Sequence, residues 1–169
     1  MNKTVRVALV ALLCVGAAAC SKKQEVKPQP APEQAPVAAA PTGPAKYTPA
    51  DLDTDACLRQ RVVYFDFDKS EIKPEFQAQI ACHAKYLHQF AGARVTLEGN
   101  ADERGTREYN LGLGERRGNA VSSAMGAAGA SSSQLNVVSY GEERPVCKDH
   151  SEGCWQKNRR VEIVYTSKQ

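Results

Sequence analysis

One strand–loop–helix segment constrains the fold of this chain more than any other part of its sequence. Residues 95–98 alternate apolar and polar side chains and predict a strand. Gly99 and Gly105 bracket a polar loop after that strand. Thr106 is a favourable N-cap, and the residues after it have helical spacing. The segment therefore predicts a loop held between the end of a strand and the start of a helix.

Oppositely charged side chains lie at the two ends of this segment. Asp102 and Glu103 are on the loop, near helix amides that favour an anion. Arg116 and Arg117 follow about three turns along the helix, and the helical phase does not decide which of them faces the loop. Leu113 shares a helix face with Arg117. We predict a pocket for a zwitterion, in which Asp102 binds the ammonium and Arg117 the carboxylate. An internal Asp102–Arg117 ion pair that only fixes the loop is an equally supported alternative.

A second polar loop follows the predicted strand at residues 61–65. It contains Asp66, Phe67 and Asp68. If this strand and the strand before Asp102 are parallel neighbours, their C-terminal ends meet at the edge where open α/β sheets bind ligands. We therefore expect the two loops to contribute to one site.

The remaining pattern predicts an α/β (α+β) domain in the order β-α-β-α-β-β. Helical crossovers imply parallel pairing, so two long helices would pack on a mixed four-stranded sheet. The domain is expected at residues 51–169, which is enough chain for one hydrophobic core. The predicted strands are residues 61–65, 94–98, 135–140 and 160–166, and the predicted helices are residues 51–60, 74–92 and 106–125.

The second long helix combines an apolar face with several glycines. Five residues at helical spacing are expected to face the core: Tyr109, Leu113, Ala120, Val121 and Ala124. Gly112, Gly114 and Gly118 each weaken a helix by up to ~1 kcal/mol relative to alanine. Three glycines in one helix therefore suggest that its backbone closely approaches a neighbour or a ligand.

The N-terminus predicts export and a lipid anchor. Two basic residues precede a short apolar run at residues 7–15, and small residues at 17–19 come directly before Cys20. The apolar run is shorter than the roughly 20 residues that a membrane-spanning helix needs. Residues 1–19 resemble a bacterial lipoprotein signal, which implies lipidation of Cys20, and Ser21 implies sorting to the outer membrane. An ordinary secretory signal that leaves a free Cys20 is the alternative.

A segment rich in proline and alanine, residues 20–50, separates the signal from the domain. It contains almost no large apolar residues and cannot bury a core, so we expect an extended or disordered tether. At ~3.1 Å per residue, it would reach on the order of 90 Å when fully extended. This length would let a lipid-anchored domain contact a target away from the membrane.

Four cysteines lie in the predicted domain. Their number is even, and export places them in an oxidising compartment, so disulfides are expected. Of the three possible connectivities, we favour Cys57–Cys82 and Cys147–Cys154. A metal site built from Cys147, His150 and Cys154 is the alternative, but it lacks a fourth ligand and matches no structural zinc spacing.

Other function classes fit the sequence less well. The net charge of +3 is small and mixed, which argues against a nucleic-acid partner. The loop carboxylates could form a pair for glycan cleavage, but they lie on short loops without an evident long cleft. His83 and His88 do not share a helix face and make an unlikely metal pair. We therefore expect a binding protein without a catalytic residue, metal or cofactor.

Six stretches carry a resemblance to a known family. They are Val63–Lys69, Glu98–Thr106, Glu108–Asn110, Leu113–Arg117, Val138–Gly141 and Lys157–Arg160. In order and spacing they are similar to the peptidoglycan-associated lipoprotein family, which has an OmpA-like C-terminal domain. The resemblance covers nearly all of the predicted domain, and the lipoprotein signal and the tether agree with it independently.

The resemblance implies a ligand and the residues that contact it. The family binds the diaminopimelate residue of the peptidoglycan stem peptide without a covalent bond. Matching positions here are Asp66, Phe67, Asp68, Asp102, Leu113 and Arg117, which favours Arg117 over Arg116. Asn100 stands where many relatives carry histidine, so the resemblance assigns it no role.

Partners and localisation are also implied by the resemblance. Family members belong to the Tol–Pal system, which acts in envelope constriction during division, with TolB as the periplasmic partner. The protein is therefore expected on the periplasmic face of the outer membrane, where it would bind peptidoglycan. A general OmpA-like wall anchor outside the Tol system is the alternative.

Overall fold

The structure is a computed structural model that describes residues 46–169. The predicted signal sequence, Cys20 and most of the tether lie outside the described residues, so the boundaries at 1–19 and 20–50 stay predictions. Within residues 46–169, no helix is both long and apolar enough to cross a membrane.

Strands and helices follow the predicted β-α-β-α-β-β order, with two long helices as expected. One further helix, α4, lies in a segment for which the sequence predicted none. The elements are α1 (Asp51–Thr54), β1 (Val62–Tyr64), α2 (Gln77–Gln89), β2 (Arg94–Asn100), α3 (Arg107–Ala127), β3 (Leu135–Gly141), α4 (Glu152–Asn158) and β4 (Arg160–Ser167). Single 3₁₀ turns, Pro74–Phe76 and Ser132–Gln134, precede α2 and β3. The predicted mixed α/β fold is confirmed.

The four strands form one sheet in the order β1-β4-β2-β3. β4 is antiparallel to both β1 and β2, whereas β2 and β3 are parallel. The condition that β1 and β2 are parallel neighbours is therefore not met, because β4 lies between them. Both strands nevertheless run in the same direction, since each is antiparallel to β4. Their C-terminal ends still lie at one edge of the sheet, together with the start of β4.

The core lies between the two long helices and one face of the sheet. Alternate residues of β2 and β4 point to that face, as expected for strands. Val95, Leu97, Val161 and Ile163 are all buried there. They join apolar side chains from α2 and α3 in one cluster. Its largest members from the two helices are Ile80, Tyr86, Leu87, Val121 and Met125.

The start of α3 lies directly on β2 because two glycines face each other. A Cβ on Gly114 would overlap the Ser139 hydroxyl and the backbone of Gly99. A Cβ on Gly99 would in turn overlap the Gly114 carbonyl. The close helix approach suggested by the glycine-rich sequence is thus a helix–strand contact. It places the N-terminal turns of α3 beside the loop that follows β2.

We expect Gly114→Ala to lower the free energy of unfolding by at least ~2 kcal/mol, because the added methyl group meets backbone that cannot move aside. Gly126→Ala is the matched control in the same helix, since a Cβ there has no atom within 4 Å. The control should stabilise by roughly 0.5–1 kcal/mol, as alanine favours a helix. Urea denaturation of both variants measures the difference, and equal stability would show that the contact is not tight.

A disulfide joins the N-terminal part of the domain to the first long helix. Cys57 and Cys82 are bonded, with an S–S distance of 2.10 Å, as the sequence predicted. Tyr47 is also buried, against the ring of Tyr86 at a centroid distance of 6.0 Å. The folded region therefore starts upstream of Asp51.

The first long helix, α2, carries a buried histidine. His83 on α2 is fully buried, with Nδ1 2.9 Å from the Tyr165 hydroxyl and Nε2 3.0 Å from the Gln60 carbonyl. The carbonyl can only accept, so Nε2 carries the proton and Nδ1 accepts from the tyrosine. Burial lowers the pKa of His83 from 6.5 to about 4. The imidazole is therefore neutral in the folded protein at neutral pH.

His83 should make stability depend on pH between about 6.5 and 4. In this window the unfolded chain binds a proton that the folded chain does not, so stability falls as pH falls, by up to about 3 kcal/mol. Denaturation at pH 7, 5.5 and 4 should show a steeper loss for the wild type than for His83→Gln. The exposed His88→Gln variant should follow the wild type. A His83→Gln profile parallel to that of the wild type would contradict this assignment.

Candidate ligand-binding site

A pocket of about 200 Å³ opens at the sheet edge where β1 and β2 end and β4 begins. It is lined by Phe67, Asp68, Asp102, Arg104, Gly105, Tyr109, Leu113 and Arg117. Five of these residues were predicted from the sequence. Asp66 is the exception among the predicted set, since its carboxylate pairs with Lys73 at 2.6 Å and it does not line the pocket.

Asp102 is buried at the base of the pocket, with 4% of its surface exposed. Its carboxylate accepts hydrogen bonds from Arg104 and Arg159. Burial alone would raise the pKa of Asp102, but the hydrogen bonds from the two arginines outweigh it and hold the pKa below its usual value. The carboxylate is therefore charged at neutral pH.

Arg159 connects this carboxylate to the rest of the sheet edge. It lies just before β4 and is 2% exposed. Its guanidinium donates to Asp102 at 3.1 Å, to the Phe65 carbonyl at 3.1 Å and to Glu152 at 2.5 Å. Because β4 lies between β1 and β2, Arg159 joins the loops that follow both strands. Arg159 was not among the site residues predicted from the sequence.

Arg117 is fully buried and braces three backbone segments. Its guanidinium donates to the carbonyls of Lys69 and Asn100 at 2.8 Å and of Asp66 at 3.0 Å. Burial lowers the pKa of Arg117 to about 10, so it stays charged at neutral pH. Arg116, one residue earlier, is exposed and lies over the ring of Tyr109.

The predicted alternative of an Asp102–Arg117 ion pair is not seen among the described residues, where Asp102 pairs with Arg104 and Arg159. Three N–H groups of the Arg117 guanidinium are used by carbonyls. Two of its five N–H groups are not used by these carbonyls. Arg117 thus combines a structural role with a place in the pocket wall.

Arg104 lies at the mouth of the pocket between two aromatic rings. Its guanidinium carbon is 3.9 Å from the ring centroid of Phe67 and 4.2 Å from that of Trp155. It also donates to Asp102 through Nε and Nη2, at 3.2 and 2.6 Å. The sequence pattern could not reveal this arrangement, because Trp155 comes from α4, far along the chain.

The rim of the pocket is formed by exposed aromatic and acidic side chains. Phe67 is 53% exposed and Tyr109 45% exposed. Tyr109 was expected to face the core, but it lies in the first turn of α3, beyond the sheet edge, and its hydroxyl donates to the carboxylate of Asp68. Asp68 has a positive φ of 56°, a backbone conformation that is uncommon for a residue other than glycine.

A second, disulfide-closed loop supports the Arg104 side of the pocket. Cys147 and Cys154 are bonded with an S–S distance of 2.12 Å, as predicted, so their sulfurs are not available as thiolate ligands for the alternative metal site. The Trp155 indole donates to Glu103 at 2.8 Å, and His150 lies 2.5 Å from the same carboxylate. This hydrogen bond raises the pKa of His150. The loop from Cys147 to Trp155 is thereby attached to the loop that carries Asp102.

Taken together, the elements and the pocket define a small α/β domain with a pocket of charged and aromatic side chains at one sheet edge. A sequence model of the OmpA family matches residues 64–159. Peptidoglycan-associated lipoproteins match as well: the one from Pseudomonas aeruginosa is 50% identical over 113 residues, covering 66% of this chain and 67% of that protein. The one from Haemophilus influenzae is 41% identical over 169 residues, covering 98% and 100%.

The crystal structure of the peptidoglycan-associated lipoprotein from Burkholderia pseudomallei has the same fold. It superposes with a TM-score of 0.68 at 41% identity, covering 70% of this chain and all of that one. The chain therefore belongs to the OmpA family, and within it to the peptidoglycan-associated lipoproteins. The family resemblance identified from the sequence is confirmed.

Arg159→Met should lower the free energy of unfolding by about 3–5 kcal/mol, because it leaves a buried carboxylate with one partner fewer. Arg107→Met is the matched control, since it removes an exposed arginine that pairs with Glu143. That change should cost less than about 1 kcal/mol. Guanidinium chloride denaturation measures both, and a similar small loss for the two variants would contradict the structural role of Arg159.

Proposed function

We propose that the pocket binds the diaminopimelate residue of the peptidoglycan stem peptide without a covalent bond. The observation that carries this proposal is the charge balance of the lining. Two carboxylates, Asp68 and Asp102, and two guanidiniums, Arg104 and Arg117, line one small pocket. A ligand with one ammonium and one carboxylate keeps that balance, whereas a singly charged ligand disturbs it.

The geometry supports a defined orientation of such a ligand. Its ammonium would lie against Asp102, and its carboxylate would accept hydrogen bonds from the free N–H groups of Arg117. Leu113 and Phe67 offer apolar contact for the methylene chain that links the two ends of diaminopimelate. Asp68 and Tyr109 would close the outer side.

The family supports peptidoglycan as the source of this residue. The relatives at 41–50% identity are named peptidoglycan-associated lipoproteins, and one of them matches 98% of this chain, including its N-terminal part. We propose that Cys20 is lipidated and anchors the protein in the outer membrane, facing the periplasm. The domain would then bind the cell wall at the far end of the tether.

We further propose that the protein acts in the Tol–Pal system, with TolB as a partner, in envelope integrity and constriction during division. This assignment rests on the family, since no residue pattern defines a TolB surface. A general wall anchor outside the Tol system would use the same pocket. Crosslinking in cells followed by purification separates the two: wall binding without TolB would favour the plain anchor. Binding rather than catalysis is proposed in both cases.

Sedimentation with purified sacculi tests the proposed ligand. The wild type should bind sacculi that contain diaminopimelate and bind poorly to sacculi with lysine at that position, because lysine lacks the second carboxylate. Asp102→Asn should reduce binding about 10- to 100-fold, the loss expected for one charge-assisted hydrogen bond. The exposed Glu143→Gln is a matched control and should bind like the wild type.

Two outcomes would contradict the proposal. Equal binding to both kinds of sacculi would mean that the side-chain carboxylate is not recognised. Full binding by Asp102→Asn would mean that its carboxylate is structural. Arg117→Ala is a weaker test, because it removes the donor to three backbone carbonyls and should also destabilise the fold. Circular dichroism and thermal unfolding of each variant separate lost binding from lost folding.

A further inference from the structure

The acceptor sites of Asp102 are fully used within the protein. A carboxylate has about four lone-pair sites on its two oxygens. Oδ1 accepts from the backbone N–H of Arg104 at 3.1 Å and from its Nε at 3.2 Å. Oδ2 accepts from Nη2 of Arg104 at 2.6 Å and from Nη1 of Arg159 at 3.1 Å. An ammonium can therefore bind Asp102 only by displacing one of the two guanidiniums.

Of the two, Arg104 is the one that can leave. Arg159 is 2% exposed and is also held by the Phe65 carbonyl, Glu152 and Gln156. The side chain of Arg104 is 30% exposed, and its other ionic partner, Glu152, is 3.5 Å away. Loss of Arg159 would uncover a buried charge, whereas Arg104 faces solvent when it turns.

Two aromatic rings beside Arg104 would keep a displaced guanidinium near the pocket mouth. Arg104 is stacked between Phe67 and Trp155, and both rings stabilise a cation next to their faces. The guanidinium can therefore turn away from Asp102 and stay at the pocket mouth. Without a new anionic partner, however, it would exchange two charge-assisted hydrogen bonds for water.

We propose that Arg104 is the residue that makes this pocket selective for zwitterions over simple cations, a proposal that rests on the function proposed above. In the free protein Arg104 occupies the place of the ligand's ammonium on Asp102. A zwitterion displaces it and offers its own carboxylate to the released guanidinium. A ligand with an ammonium alone displaces it without compensation and therefore binds weakly.

A pair of soluble stem peptides tests this selectivity. Both carry diaminopimelate, and in one the side-chain carboxylate is converted to an amide, which leaves only the ammonium at that end. By calorimetric titration, the wild type should bind the amidated peptide about tenfold more weakly. Arg104→Gln should bind the amidated peptide about fivefold more tightly than the wild type does, so the preference falls to about twofold.

Two variants serve as controls for charge and geometry. Arg107→Gln removes the same charge three residues away on an exposed side chain outside the pocket, and it should keep the full preference. Arg104→Lys keeps the charge but cannot form the paired hydrogen bonds of a guanidinium, so it should give an intermediate preference. If Arg104 had only a structural role, Arg104→Gln would instead weaken the binding of both peptides by the same factor.

Trp155 offers a direct readout of the displacement, because it is the single tryptophan in the chain and it stacks on Arg104. Peptide binding should change its fluorescence in the wild type, and the change should be lost in Arg104→Gln.

The proposal is overturned if Arg104→Gln retains the wild-type preference for the peptide with the free carboxylate. Arg117 without Arg104 would then recognise that carboxylate. It is also overturned if the wild type binds both peptides equally tightly, or if Arg104→Gln no longer binds either peptide. No binding of either peptide by a folded wild type would instead overturn the proposed function itself.

Discussion

The buried ion pair between Asp102 and Arg159 is the interaction on which the rest of the site depends. Both side chains are almost fully buried, at 4% and 2% exposure. Removing two charges from water is costly, and the cost is offset only when the remaining donors and acceptors are satisfied. Here Arg104 fills the other acceptor sites of Asp102, and Phe65 and Glu152 accept from Arg159. The pocket is built around a charge that is neutralised before any ligand arrives.

The sheet order explains why this pair can form. β4 lies between β1 and β2, so the residue before β4 is equally close to the loops that follow both strands. That residue is Arg159, and its guanidinium reaches Phe65 on one side and Asp102 on the other. If β1 and β2 were neighbours, β4 would not lie between them, and Arg159 would not be placed between their loops. The last strand in the chain is therefore the one that brings the two loops of the site together.

Local patterns predicted the parts of the structure that local physics decides. Thr106 caps α3 by accepting from the Tyr109 amide, and the alternation of β4 buries Val161 and Ile163. Strand order depends on pairing between distant segments, which no local pattern contains. Helix α4 has only seven residues and gains its stability from tertiary contacts such as the Trp155–Arg104 stack.

The same limit explains the errors within the site. Tyr109 has the spacing of a core residue, but the first turn of α3 extends past the sheet. The helix face that is buried at Val121 and Met125 therefore borders the pocket at Tyr109. Arg104 lies in the loop that the sequence identified as part of the site. Its role nevertheless depends on Trp155, which lies on the helix that was not predicted. The predicted pair, Asp102 and Arg117, lines the pocket as expected, but each has other partners inside the protein.

The pocket consequently has a fixed base and an exposed rim. Arg117 and Asp102 are held by buried hydrogen bonds, and Gly99 and Gly114 fix the distance between strand and helix beneath them. Arg104, whose side chain is 30% exposed, belongs to both parts. A base that is already paired cannot reorganise cheaply, so the proposed ligand would bind by an exchange of partners at the rim. Such a site has no unused acceptor to offer an ammonium. It would therefore select a ligand by the balance of the ligand's positive and negative charges.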